Sequence, residues 1–206
     1  MKLNERGLLI VLSGPSGVGK GTVRKALFEM DGHDLVYSIS MTTRPPREGE
    51  IDGVDYYFVS KAEFERRIKD GELLEYAQFV GNYYGTPKDK VDEQIALGKE
   101  VVLEIEVNGA LQVREKAPDG VFIFIAPPNK GALHRRLQRR GTEAPEKIQA
   151  RMDKAEMEFP LAHKYDYIVV NDEVMNAADR IMAIIRAEHA KTERSIYKYN
   201  EILEVK

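Results

Sequence analysis

A glycine-rich turn, wedged between an apolar run and a helical pattern, limits this chain's folding options more than any other feature. Leu8-Leu9-Ile10-Val11-Leu12 runs directly into Ser13-Gly14-Pro15-Ser16-Gly17-Val18-Gly19-Lys20-Gly21-Thr22. The first run is short, branched and uninterrupted, the composition of a strand buried on both faces. Gly14, Gly17 and Gly19 let the backbone fold back so that successive N–H groups converge on one concavity, and the helix that follows adds the positive end of its dipole. Such a turn cradles phosphate: Gly14, Pro15, Ser16, Gly17, Val18 and Gly19 wrap it, and the Lys20 ammonium reaches the outer phosphates of a nucleotide. A buried strand feeding a phosphate loop at the head of a helix belongs in an α/β sheet, with the ligand at the strands' carboxyl ends.

The usual pattern of such loops is Gly, four free positions, Gly, Lys and then Ser or Thr. Here Gly21 occupies the last place, ahead of Thr22. The hydroxyl that commonly holds magnesium is missing from its usual position, so either Thr22 substitutes or Mg2+ is held mainly through phosphate and water. The second arrangement is the one expected, with no dedicated protein site.

With 206 residues the chain can bury a full core, and it reads as one domain with excursions. The sequence contains no cysteine, which excludes disulfides and thiolate metal sites and fits a reducing compartment. Met1 to Arg6 carries mixed charge, and the apolar run behind it is too short for a signal peptide or a membrane span. A cytoplasmic protein without a membrane partner is expected. Thirty-one basic against 34 acidic residues give a net charge of -3, which argues against nucleic acid as a partner. Positive charge is nevertheless concentrated at Arg44 with Arg47 and at Arg135, Arg136, Arg139 and Arg140, as in a binder of small, highly charged anions. Solvated helix faces are the competing explanation.

Apolar runs at Leu8 to Leu12, Val101 to Ile105, Val121 to Ala126 and Tyr167 to Val170 alternate with helical patterns near 21–30, 108–116, 130–139, 146–158 and 174–191. The expected fold class is α/β, a doubly wound parallel sheet of the P-loop NTPase type with a five-stranded core. Between Ser38 and Gly98 the texture changes to turns and aromatics, which predicts an inserted mixed α+β lobe, its strands antiparallel. Within it, Ser60 to Glu63 forms a capping box for a helix that stops at Gly71, and Thr86-Pro87 opens another that ends at Gly98. A second excursion, helical and arginine-rich, is broken by Gly141-Thr142-Glu143-Ala144-Pro145, as a hinged lid would be. The expected division is a core of 1–37, 99–128 and 160–206, a lobe of 38–98 and a lid of 129–159.

The sequence resembles the guanylate kinase family along nearly its whole length. The matching segments are Gly14 to Thr22, Ser40 to Tyr57, Glu75 to Thr86, Glu104 to Gly109, Arg136 to Arg151 and Ile168 to Asp172. The resemblance implies transfer of the γ-phosphoryl group of ATP to GMP, giving ADP and GDP with Mg2+, and makes 38–98 the GMP-binding lobe. In the family, the positions of Arg44 and Arg47 grip the GMP phosphate. Set on either side of the stiff Pro45-Pro46 step, they can present two guanidinium forks from one turn. Tyr56 and Tyr84 supply phenolic donors for the same oxygens, whereas their neighbours Tyr57 and Tyr83 are read as packing. Glu75 matches the carboxylate that meets the N1–H and N2–H edge of guanine, with Ser40 and Thr86 as hydroxyl partners. Adenine has no donor at N1, so the same carboxylate would reject it.

Glu104 holds a position where the family usually has aspartate, contacting GMP and ordering magnesium-bound water, and Glu106 is an alternative for that role. A carboxylate at the start of the helix near Asn108 is the competing reading of Glu106. Arg136, Arg140 and Arg151 match the family's lid arginines, which would surround the β- and γ-phosphates, with Arg151 also reaching GMP. Asn171 matches a position near the adenine of ATP. Lys20, Arg44, Arg136, Arg140 and Arg151 are thus the expected catalytic set. Gly21 and Thr22 complete the ATP loop, and Thr22 or Glu104 are the protein groups that could approach Mg2+.

His33, His134, His163 and His189 lie in no nucleophile–base pattern, and a phosphate acceptor is already anionic. Direct in-line transfer, driven by alignment, charge neutralisation and exclusion of water, is the economical mechanism. A P-loop kinase for another acceptor and an inactive interaction module of the same fold are the alternatives. Assembly as a monomer or a homodimer stays open.

Overall fold

In the computed structural model, which describes residues 6–139 and 145–196, strand and helix alternate from the start. β1 (Leu9–Ser13), α1 (Lys20–Phe28) and β2 (Leu35–Tyr37) come first. A mixed segment follows, with β3 (Met41–Thr42), β4 (Tyr57–Phe58), α2 (Lys61–Lys69), β5 (Leu73–Phe79), β6 (Asn82–Pro87) and α3 (Lys88–Ala96). Alternation resumes through β7 (Glu100–Glu104), α4 (Val107–Lys116), β8 (Val121–Ala126), α5 (Lys130–Arg139) and α6 (Pro145–Glu158). A 3-10 helix at Phe159–Lys164, β9 (Tyr167–Val170), α7 (Val174–Ala190) and α8 (Thr192–Ser195) complete it.

The main sheet has five strands in the order β2-β7-β1-β8-β9, every pairing parallel. Its centre shows why the strand at Leu9 reads as an unbroken apolar run. Ile10 and Leu12 pack to one side with Val23 and Leu27 of α1 and Ile181 of α7. Leu9 and Val11 pack to the other with Ile95 of α3 and Ala110 and Val113 of α4. Both faces are covered, so alternation in sequence is lost. The strand order places β1 between β7 and β8, and the phosphate loop leaves its carboxyl end.

The second sheet has the order β4-β3-β6-β5. β3–β6 and β5–β6 are antiparallel as expected, but β3 and β4 run parallel, which corrects the all-antiparallel expectation. The long connection over 43–56 lets β4 return in the same direction as β3, which a tight hairpin could not do. Half of the expected capping box forms: Ser60 Oγ accepts from the Glu63 N–H at 3.1 Å, while the Glu63 carboxylate turns to Arg66 and Arg67 instead of the Ser60 N–H. The lobe has its own small core of Met41, Phe64 and Leu73, flanked by Tyr57, Tyr76 and Tyr83, with Phe64 stacked on Tyr83 at 5.2 Å between ring centroids. Tyr57 and Tyr83 are packing residues, as read from the sequence.

On α5, the fully buried Leu133 and Leu137 join the main core together with Val18 of the phosphate loop and Ala155 of α6. The helical excursion therefore rests on the loop through apolar contact. Among the described residues, no helix is long and apolar enough to cross a membrane.

Candidate active site

The loop after β1 has the left-handed backbone that its glycines anticipate. Gly14 has φ 146° and Gly19 φ 93°. A Cβ on Gly14 would stand 2.3 Å from the Ile125 carbonyl oxygen of β8, so neither the backbone angle nor the space admits a side chain there. Lys20 begins α1 and folds back over the loop, its Nζ donating to the carbonyls of Gly14 at 2.6 Å and Pro15 at 3.2 Å. Burial pulls its pKa below the ordinary lysine value, against the opposing pull of Glu104, Glu106 and Glu158.

Three side chains from later in the chain brace this loop. Arg136 of α5 donates to the Val18 carbonyl at 2.9 Å and to the Asn171 carbonyl at 2.8 Å. Arg151 of α6 donates to Ser16 Oγ at 2.8 Å. Asn171, just past β9 and 2% exposed, spends its Nδ2 on the Val18 carbonyl at 2.7 Å, and its Oδ1 is buried without a hydrogen-bond partner. Arg136 and Arg151 thus come together at the loop, one from α5 and one from α6. Arg140 and the 141–144 turn lie outside the described residues.

A second cation site forms in the lobe. Arg44, 9% exposed, makes a two-pronged pair with Glu50, NH1 to Oε2 at 2.6 Å and NH2 to Oε1 at 2.7 Å. Its guanidinium carbon lies 5.1 Å from the Tyr56 ring centre, and the Tyr56 and Tyr84 rings meet edge to face at 6.1 Å. Glu50 also accepts the Arg47 backbone N–H at 2.7 Å, while the Arg47 side chain is exposed. The hydrogen bonds from Arg44, then the Arg47 backbone, hold the Glu50 carboxyl down at a pKa of about 2. The structure brings Arg44, Tyr56 and Tyr84 together and adds Glu50, a residue the sequence reading did not select. Its place three residues after Arg47 and six after Arg44, in one turn, was the available signal.

Glu75 on β5 is 7% exposed and accepts from Thr86 Oγ1 of β6 at 2.7 Å. Burial raises its pKa, with the Thr86 hydrogen bond opposing. A Cβ on Gly109 of α4 would come within 3.0 Å of Glu75 Oε2, so the bare glycine lets the carboxylate sit against the helix. Gln112, one turn further along α4, brackets the Tyr76 backbone, accepting its N–H at 3.2 Å and donating to its carbonyl at 3.1 Å. These contacts tie β5, and with it Glu75, to the main body. Ser40 is half-buried, and its backbone carbonyl accepts the Tyr57 N–H at 2.9 Å.

Glu104 ends β7 and pairs with Arg24 of α1 at 2.8 Å. Gly21 lies directly beneath it: a Cβ there would be 3.3 Å from Glu104 Oε1. Glu106 occupies the N-cap position of α4 yet makes no side-chain capping bond; it accepts instead from Lys154 of α6 at 2.7 Å. Thr22 is exposed on the first turn of α1. Among the described residues, no three histidine or carboxylate groups converge as a metal-binding set.

The family model described as guanylate kinase matches residues 6–188. The chain belongs to the guanylate kinase family. It is 64% identical to the guanylate kinase of Onion yellows phytoplasma over 205 residues, covering 99% of this chain and 97% of the relative. It is 57% identical to that of Listeria monocytogenes over 202 residues, 98% of each. The crystal structure of guanylate kinase from Anaplasma phagocytophilum superposes with a TM-score of 0.72 at 37% identity, covering 97% of this chain and 96% of that one. The family match spans both clusters described above: the phosphate loop with Arg136 and Arg151, and the second sheet with Arg44 and Glu75.

Proposed function

We propose that the chain transfers the γ-phosphoryl group of ATP to GMP, giving ADP and GDP, by direct in-line displacement. What carries the reading is the coexistence of two anion grips of different design in one guanylate kinase fold. One is a backbone cradle closed by Lys20, and the other is the buried Arg44 with Tyr56 and Tyr84. A cradle of N–H groups under a helix terminus suits the phosphate chain of ATP, with Gly14 to Thr22 around it and Arg136, Arg140 and Arg151 over it. A guanidinium fork beside phenols suits a terminal monophosphate, with Arg47 as second fork. Glu75, with Thr86 and Ser40, is assigned to the guanine edge. Asn171 is assigned a place beside the adenine while it braces Val18.

Catalysis then rests on placing fixed positive groups where charge gathers, with no general base, because the accepting oxygen is already anionic. Mg2+ fits the oxygen-rich donors on hand, phosphate with the Glu104 carboxylate, and Gly21 puts no side chain between that carboxylate and α1. Bound there, it would offset phosphate charge during transfer. The cysteine-free composition and these substrates favour a cytoplasmic enzyme. An acceptor panel of GMP, AMP, UMP and CMP with ATP and Mg2+ tests the assignment. Fast ADP release with GMP alone is expected, and equal or faster turnover of any other acceptor would overturn it.

A further inference from the structure

The lid brings one more cation to the phosphate cavity than its arginine pattern announces. A cavity of about 220 Å³ lies against the loop, lined by Ser16, Lys20, Glu104, Glu106, Lys154 and Glu158 among others. Lys154 follows Arg151 by three positions on α6, and Glu158 follows by seven, so all three lie on one helical face. That is the face on which Arg151 reaches Ser16 Oγ at 2.8 Å.

The charges around the cavity are paired in a particular way. Glu104 is held by Arg24 at 2.8 Å, and Lys20 donates to the loop carbonyls. Lys154 serves the other two carboxylates, Glu106 at 2.7 Å and Glu158 at 3.7 Å. Glu106 has a side chain 70% exposed and Lys154 one 43% exposed, so their pair is solvated on one side and individually weak. A polyphosphate entering the cavity carries several negative charges and several acceptor oxygens, and a single exposed carboxylate competes poorly with it for an ammonium group.

We infer that Lys154 is a phosphate-contacting residue of the ATP site, which passes from Glu106 to the nucleotide's phosphates and joins Lys20, Arg136 and Arg151 around them. The inference rests on the ATP assignment above and adds to it a group on the lid. Glu106 is then the internal competitor that keeps Lys154 beside the cavity, and the flexible lysine stem makes the exchange without a backbone shift.

Isothermal titration of the intact protein with ATP in excess EDTA tests this without any metal-mediated route. Lys154→Met is expected to weaken ATP about tenfold and leave GMP binding unchanged, Lys154→Arg to retain most of the affinity, and Glu106→Gln to tighten ATP. The deciding comparison is Lys154→Met made in a background carrying both Glu106→Gln and Glu158→Gln, the two carboxylates that Lys154 pairs with. A contact to phosphate predicts about the same tenfold loss there. If the loss vanishes in that background, Lys154 merely neutralises Glu106 and Glu158 and the inference is wrong; it is equally wrong if GMP weakens alongside ATP. Failure of the wild-type chain to phosphorylate GMP would instead count against the ATP assignment.

Discussion

Lys20→Ala should lower kcat by roughly a thousandfold or more while the Kd for GMP stays within about twofold of wild type. The ammonium is fixed before any substrate arrives, bonded to the Gly14 and Pro15 carbonyls at 2.6 and 3.2 Å. A preplaced charge in a buried setting lowers the barrier without having to reorganise during the reaction, which is where such groups have their largest effect. The loop should survive the truncation, because Val18 is held independently by Arg136 and by the Asn171 amide. The GMP grip we propose sits on other elements, at Arg44 and Glu75, and shares no hydrogen bond with Lys20. Coupled assays of ADP release and calorimetry with GMP check both halves. A variant that lost GMP affinity but kept its turnover would show that Lys20 has been given the wrong role.

The fold was legible where a residue's environment is set by its own segment. β1 and β8 are covered on both faces, so 9–12 and 121–126 are apolar without a break and mark a parallel sheet. The Ser60 N-cap is a local device that acts locally. β2 escaped because it has three residues, only partly buried, at the sheet's edge, too few to show a period. The parallel β3–β4 pair escaped because strand direction there depends on the course of 43–56, and no residue type encodes that.

Site residues divide in the same manner. Loop glycines declare themselves because a backbone angle demands them, as at Gly14. The partners that orient charged groups do not, since Glu50, Gln112 and Lys154 are ordinary surface residue types whose neighbours are chosen by tertiary placement. Asn171 shows the converse: its position could be named from the resemblance, but its hold on Val18 required the fold.

Glu75→Gln should raise the KM for GMP by about a hundredfold, the loss of two charge-assisted hydrogen bonds, with kcat much less affected. The Thr86 hydroxyl can still donate to the amide oxygen, so the side chain should stay in place between β6 and Gly109 of α4. Its NH2 would then face the N1–H and N2–H donors of guanine, donor against donor in a buried site. The same carboxylate gives the binding a pH dependence of known sign. Burial raises its pKa above the ordinary 4.5, so the folded protein holds this proton more firmly than the unfolded chain does. Its contribution to stability is therefore complete below the ordinary carboxylate range and fades as pH rises through the raised value. GMP affinity should move the opposite way, growing over that window as the acceptor ionises. In Glu75→Gln the carboxylate's share of both trends disappears: the protein gains stability at neutral pH relative to wild type, and its residual GMP affinity follows only the second ionisation of the GMP phosphate, at about pH 6. Thermal melts and GMP titrations from mildly acidic to neutral pH read the two together, and a GMP affinity with the same pH profile in Glu75→Gln as in wild type would place the titrating group elsewhere.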